Sequence, residues 1–378
     1  MGPGAAIRSH PMGWLPTELV RSGGPLVVDL TERDVAEVEA ALEACKLAEV
    51  DPDAVSRATF PLPTLATQLE RASHQVHQGQ GFAIVRGPNP QNYTAEDNVI
   101  IFLGISSYLG EQRGVQDKKG SMLTHVTDSK IWTAPPEMRH GIHTTTGLAW
   151  HCDMGTEVLA LHVRSKAHAG GDTYVASAWT IYKELMASYP DVLEQLCDPS
   201  WPIQVSVNPP KYFVAPLMHI SDKVLISVDP GRLGLHPATA AVDGGFPVPA
   251  LTRRQRMALE VLSELATKFR HRLDLQQGDM VFINNLALLH ARDPYVDSET
   301  GPGRHVVRLW LRNPHLAWNI PLAMRAPWEA AFGGDGLRAM KRSYPALPNP
   351  VYKPPRYTAG SAAFILDDSE DVNSSGSV

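Results

Sequence analysis

The sequence predicts a mainly β protein, a barrel or sandwich flanked by helices. Three observations carry that expectation. From about residue 148 onward, short apolar and β-branched runs bounded by Gly or Pro turns recur at 157–164, 173–177, 203–207, 224–229, 279–284 and 304–312. Helical spacing is concentrated before residue 110 and interrupts the strands only at about 179–188 and 253–271. There is no strand–helix alternation and no Gly-rich phosphate loop, which disfavours nucleotide-binding folds.

Taken in order, Leu26-Val27-Val28-Asp29-Leu30 reads as a short strand. Thr31 then caps a helix with Asp34 at its N3 position and Val35, Val38, Ala41 and Leu42 at helical spacing. A second helix covers about Leu65–Gln78 and ends at Gly79-Gln80-Gly81, and Phe82–Val85 follows as a buried strand. A third helix, capped at Thr94, runs to about Leu109. Residues 111–147 show little periodicity and read as one long loop, a length that marks functional segments in compact chains. The helix at 253–271 presents Ala258, Val261, Leu262, Leu265 and Phe269 on one face and arginines on the other, a solvated face. A Pro-rich stretch at 342–356 is expected to wrap the surface, and the acidic, Ser-rich residues from Asp367 to Val378 to be disordered.

Composition sets the outer bounds. The 378 residues, 43% hydrophobic and 20% charged, allow a large core and, by length alone, two or three domains. No apolar run approaches the roughly 18 residues of a bilayer span. Met1–Ala6 contains no apolar signal region and fits no myristoylation pattern, so neither a membrane nor a secreted location is expected. A net charge of −6 is too mild for a nucleic-acid partner. Cys45, Cys152 and Cys197 match no disulfide framework or zinc spacing, which points to a reducing, cytoplasmic compartment.

The 15 histidines are the less ordinary number. A facial metal site needs two imidazoles and a carboxylate, with other coordination positions open. His-x-Asp at a strand end supplies two ligands on one face, because strand period is two. Among the histidines this spacing occurs once, at His151-Cys152-Asp153, although one or two such pairs arise by chance at this composition. Two further pieces raise its significance. Gly278-Asp279 turns into the strand Met280–Ile283, and His290-Ala291-Arg292-Asp293 follows. The strand Arg304–Arg312 sets Arg304, Arg308 and Arg312 on one face with Val306 and Trp310, and neither face is polar. A buried guanidinium requires an anion, supplied either by this chain's carboxylates or by a ligand. Arg304 and Arg308, about 13 Å apart, would serve two different anions.

Together these residues resemble the taurine dioxygenase/clavaminate synthase-like family of Fe(II)- and 2-oxoglutarate-dependent oxygenases. The family order of His-x-Asp/Glu, a Gly-Gly-Asp-Thr turn, a distal His and a later Arg reads here as His151/Asp153, Gly170–Thr173, His290 and Arg304, fourteen residues beyond His290. The likeness runs from the Phe82 strand to about residue 330 and is strongest to fungal members. It implies a double-stranded β-helix (jelly-roll) with helices outside. It also implies a single domain over 1–360: a helical part to about 110, a core at about 148–315, a wrap at 316–360, then a disordered tail at 361–378. His151, Asp153 and His290 would hold Fe(II). Thr173 and Arg304 would hold the far carboxylate of 2-oxoglutarate, and O2 is the oxidant. Arg308 would meet an anionic group of a small substrate, with His143 and Thr144 at the mouth. The chemistry implied is C–H oxidation of an amino acid or related carboxylate, by hydroxylation or a ring closure such as aziridine formation. A sulfonate substrate of the taurine type is the alternative. A zinc hydrolase, or a barrel that kept its ligands without catalysis, is the remaining competitor. Cys152 should point away from the metal, and His125, His140 and His162 are expected to be structural.

Overall fold

The structure is a computed structural model that describes residues 10–21, 23–207, 210–235, 248–333 and 340–353. The expected tail at 361–378 lies outside the described residues. In chain order the first elements are α1 (Pro16–Arg21), β1 (Leu26–Asp29), α2 (Glu32–Leu47), α3 (Ala66–His77), β2 (Phe82–Arg86) and α4 (Ala95–Ser106). Next come β3 (Gln112–Gly114), β4 (Leu123–Thr127), β5 (Leu148–His151), β6 (Val158–Ser165), β7 (Ala169–Gly170) and β8 (Thr173–Ser177). Two helices follow, α5 (Ala178–Ser188) and α6 (Pro190–Cys197), then β9 (Trp201–Val207), β10 (Pro210–Ala215), β11 (Met218–Ile220) and β12 (Val224–Ile226). The last group is α7 (Arg253–Lys268), β13 (His271–Leu273), β14 (Met280–Asn284), β15 (Leu288–Arg292), β16 (Tyr295–Val296), β17 (His305–Arg312) and α8 (Ala326–Phe332).

The caps expected from sequence are present. The Thr31 hydroxyl accepts from the Asp34 N–H at 3.3 Å while the Asp34 carboxylate accepts from the Thr31 N–H at 2.9 Å, closing a capping box. Thr94 caps α4 through the Asp97 N–H at 3.0 Å. In α7, Ala258, Leu262 and Leu265 are buried while Arg253, Arg254 and Arg256 stay exposed, the solvated face expected.

Two sheets organise the site. The larger runs β1-β2-β14-β6-β17-β3, with β4 also pairing β17, and the smaller runs β13-β8-β15-β5. Apart from the parallel β1–β2 pair, every pairing in both is antiparallel. Strand alternation splits the larger sheet between two cores. Val281 and Ile283 of β14 pack with residues of the smaller sheet, whereas Met280 and Phe282 pack against α2, α3 and α4. In β17, Val307, Leu309 and Leu311 face those helices, and the opposite face turns Arg308 inward. That two-sided burial is why these strands read as continuous apolar runs.

The single loop expected at 111–147 is a correction. It contains β3 and β4, both hydrogen-bonded to the same edge of β17. Their pattern is hidden because polar His125 occupies a buried, helix-side position of β4, opposite Val307 of β17. The Pro-rich stretch is described as far as residue 353. It is tied down where Pro345 O meets His125 Nε2 at 3.0 Å and Trp132 Nε1 donates to Asn349 O at 2.8 Å. All three cysteines are free. Among the described residues, no helix is long and apolar enough to cross a membrane.

Candidate metal centre and binding cavity

The cavity lies between the two sheets and is lined from both. His151 ends β5 and stands directly opposite His290 on β15, so register alone places two imidazoles side by side, ring centroids 4.1 Å apart. Asp153 follows in the turn after β5. Asn285, in the turn after β14, holds that backbone: its Oδ1 accepts from Asp153 N–H at 2.8 Å, and its Nδ2 donates to Asp153 O at 2.7 Å and Thr156 O at 2.9 Å. Cys152 points the other way, its Sγ 3.7 Å from Leu288 O, and burial pushes its thiol up to about 12.

The carboxylate is divided between two tasks. Oδ2 accepts from Trp310 Nε1 at 2.9 Å and pairs with Arg308 Nη1 at 2.9 Å. Oδ1 is buried without a hydrogen-bond partner and lies 3.6 Å from His151 Nε2 and 3.7 Å from His290 Nε2. The His151 Nδ1–H donates to Ala149 O at 2.7 Å, which orients the ring with Nε2 toward the same point. Burial, and then the neighbouring His151, lowers His290 to about 3, so its imidazole is neutral. Burial alone would raise Asp153, but Arg308 first and then the two imidazoles keep it below the ordinary carboxylate value. One ligand atom from each residue lies within 4.8 Å of the others. Two imidazoles, one carboxylate held below its ordinary value and an orphaned oxygen at their centre fit a divalent ion bound on one face.

At the other end, Gly170 and Gly171 have φ of 72° and 73°, a conformation glycine adopts without strain. A Cβ on Gly171 would stand 3.0 Å from Cδ and Nε of Arg304, so this turn is also where the arginine passes. Thr173 opens β8, and Arg304, immediately before β17, brings its guanidinium over the Tyr295 ring, 5.5 Å from the centroid. Arg304 is 7% exposed and its Nη1 has no partner.

Of the sequence-predicted residues, His151, Asp153, His290, Thr173, Arg304 and Arg308 all line this one cavity. His143 does not, which corrects its expected place at the substrate mouth. Its Nε2 donates to His125 O at 3.1 Å and its Nδ1 accepts from the Tyr352 hydroxyl at 3.2 Å, while the adjacent Ile142 reaches the wall instead. Thr144 is likewise turned to local bonds with Gly141 and Thr146. Arg308 lines the cavity but is ion-paired, as the half-exposed Arg312 is with buried Glu157 at 2.9 Å. The chain itself thus supplies the counter-ion of Arg312 and one partner for Arg308. Asn285, Trp310 and Gln116, which accepts from Arg308 Nε at 2.8 Å, were not singled out individually, and neither was Arg292. Arg292 was findable: it lies two residues beyond His290, hence on the same face of β15.

Residues 46–310 match the profile of the taurine catabolism dioxygenase TauD, TfdA family. The chain belongs to this family.

Its members' chemistry is that of non-heme Fe(II)- and 2-oxoglutarate-dependent dioxygenases, and the donor set described above fits it. The taurine hydroxylase-like protein SAT17 of Stachybotrys chartarum is 34% identical over 320 residues, 82% of this chain and 81% of that protein. The FR-33289 synthase of Streptomyces rubellomurinus is 24% identical over 270 residues, 68% of this chain and 76% of that protein. A similar fold is found in asparagine oxygenase solved with Fe(II), 2S,3S-3-hydroxyasparagine and succinate. That structure has a TM-score of 0.57 at 16% identity, covering 76% of this chain and 93% of that one. The non-heme iron oxygenase OrfP with Fe and alpha-ketoglutaric acid matches with a TM-score of 0.52 at 18% identity, covering 76% and 94%.

Proposed function

We propose that this enzyme oxidises an unactivated C–H bond of a small anionic substrate, an amino acid or related carboxylate, by hydroxylation or oxidative cyclisation. The observation that carries the reading is the polarity of one cavity: an orphaned carboxylate oxygen between two imidazoles at one end, an orphaned guanidinium N–H at the other. We read the two facing sheets as the halves of a double-stranded β-helix. In that frame His151, Asp153 and His290 hold Fe(II), and Thr173 with Arg304 receive the distal carboxylate of 2-oxoglutarate.

Bound iron, 2-oxoglutarate and O2 supply the oxidising power, with 2-oxoglutarate converted to succinate and CO2. One oxygen enters the substrate on hydroxylation, or two hydrogens leave as water on cyclisation. The protein's own part is positional. Trp310 and Arg308 fix one carboxylate oxygen of Asp153 so that the other faces the imidazoles. Leu159, Leu161, Ile142 and Val306 keep the space between the two polar ends apolar. Arg308 is the cavity cation beside the metal ligands and hence the anchor we assign to the substrate's anionic group. Support for an amino-acid substrate comes from the asparagine oxygenase of like fold. The taurine hydroxylase-like relative favours a sulfonate as the second reading.

The test is succinate release across a panel of small amino acids, carboxylates and sulfonates, with mass spectrometry of the product. Added oxygen marks hydroxylation, and loss of two hydrogens marks cyclisation or desaturation. No succinate release above the uncoupled background with any anionic compound, but release with neutral ones, overturns the anionic assignment. Arg308→Gln should raise the substrate KM more than that of 2-oxoglutarate, and equal effects remove Arg308 from substrate binding.

A further inference from the structure

Among the side chains lining the cavity, Arg292 has no part in the reading above. It is 6% exposed, and its Nε and Nη1 have no hydrogen-bond partner. Only its Nη2 is used, donating to Thr144 O at 3.0 Å and to Thr146 O. β15 sets Arg292 directly opposite Thr173 on β8, so both side chains leave the sheet on the same face. Its guanidinium lies over the same ring as that of Arg304: the centroid of Tyr295 is 5.1 Å from Arg292 Cζ and 5.5 Å from Arg304 Cζ. Among the described residues, no carboxylate forms an ion pair with either guanidinium.

Two buried cations close to one ring, with unused N–H groups and no acidic partner, form a costly arrangement in the empty protein. Burial, and then repulsion from Arg304, lowers Arg292 to about 10. A bound anion removes that cost, and the convergence with Thr173 shows where it sits. Resting on the reading of the chain as a 2-oxoglutarate enzyme, we propose that Arg292 is a second anion-binding residue. The distal carboxylate of the dicarboxylate co-substrate then lies between two guanidiniums and the Thr173 hydroxyl. Such a site also selects: a 2-oxo acid that lacks that distal carboxylate leaves both cations unpaired and gains nothing from either.

The decisive comparison is between 2-oxoglutarate and 2-oxobutanoate, titrated anaerobically against the Fe(II) protein by the visible charge-transfer band. Succinate binding to metal-free protein, followed by calorimetry, gives a readout independent of iron. Arg292→Gln should weaken 2-oxoglutarate and succinate about 10- to 100-fold, the worth of a charged hydrogen bond, and leave 2-oxobutanoate unchanged. Arg292→Lys, which keeps the charge but not the fork, should lose less. Because the ratio of two oxo acids is read within one sample, a general loosening through Thr144 and Thr146 is distinguishable. Equal weakening of both acids, or unchanged 2-oxoglutarate affinity in a folded variant, overturns the proposal and leaves the reading of the enzyme intact. Should Arg292→Gln fail to fold, the same ratio in Arg292→Lys decides. Wild-type protein that binds no 2-oxoglutarate overturns the functional reading itself.

Discussion

At the residue scale, the centre depends on how one carboxylate is shared. Asp153 has one oxygen tied by Trp310 and Arg308 and the other left toward His151 and His290. Such supporting bonds around metal ligands typically matter 10- to 100-fold. Trp310→Phe keeps the ring's packing and removes the indole N–H, so the Fe(II) affinity should fall by about tenfold with little change in the 2-oxoglutarate KM. Metal titration followed by calorimetry checks this, and an unchanged affinity would show that Arg308 alone suffices. Asn285 plays the matching part for the backbone, with three bonds into the 153–156 turn. Asn285→Ala leaves those buried groups unpaired, and should lower stability by about 1–3 kcal/mol per lost partner, measurable as a shift of the urea midpoint.

At the element scale, the outward face of the larger sheet carries a second polar feature, on β4 and β17. His125 donates from Nε2 to Pro345 O, so its Nδ1 accepts from His305 Nε2–H at 2.8 Å. Burial first, aided for His305 by His125 and Arg164, lowers His125 to about 4 and His305 to about 3. Both are neutral in the fold and titrate near 6.5 once unfolded, so the unfolded chain binds more protons below that pH. Their contribution is complete above about pH 6.5 and is lost as pH falls toward 4. Stability should drop by roughly 2–4 kcal/mol between pH 7 and pH 5 on their account. A His125→Gln/His305→Gln double variant should show a shallower loss in urea unfolding at the two pH values, and an identical slope would contradict this reading. The same strands show where sequence reading fails. Long strands buried on both faces announce themselves by apolar runs, and capped helices by Thr31 and Thr94. β4 hides because a histidine occupies a helix-facing position, and β3, with three residues, is too short to display a period. Its pairing comes from β17, a partner nearly two hundred residues away.

At the scale of the whole molecule, two sheets bring residues from distant parts of the chain to one cavity, with helices backing the larger sheet. The candidate metal group was legible because order and spacing survive without coordinates: His151, Asp153 and His290 come together where β5 pairs with β15. The supporting shell was not, since Gln116, Trp310 and Asn285 owe their roles to contacts that no local pattern encodes. His143 illustrates the converse error, a suitable residue type in a suitable segment whose ring nitrogens are used by His125 and Tyr352. Phe282, fully buried against the helices, shows how the site depends on that backing. Phe282→Ala should cost about 3–5 kcal/mol and lower the melting temperature without altering the ligand set.

The central claim is that His151, Asp153 and His290 hold a ferrous ion to which 2-oxoglutarate binds from the arginine end. Its most direct test is to add Fe(II) and 2-oxoglutarate without air to the wild-type protein and to His151→Ala. The account predicts a visible charge-transfer band in the wild type and its loss in the variant, with succinate formed on admitting O2 only where the band was seen. A folded wild-type protein that develops no band and forms no succinate, or a His151→Ala protein that forms succinate at the wild-type rate, would contradict it.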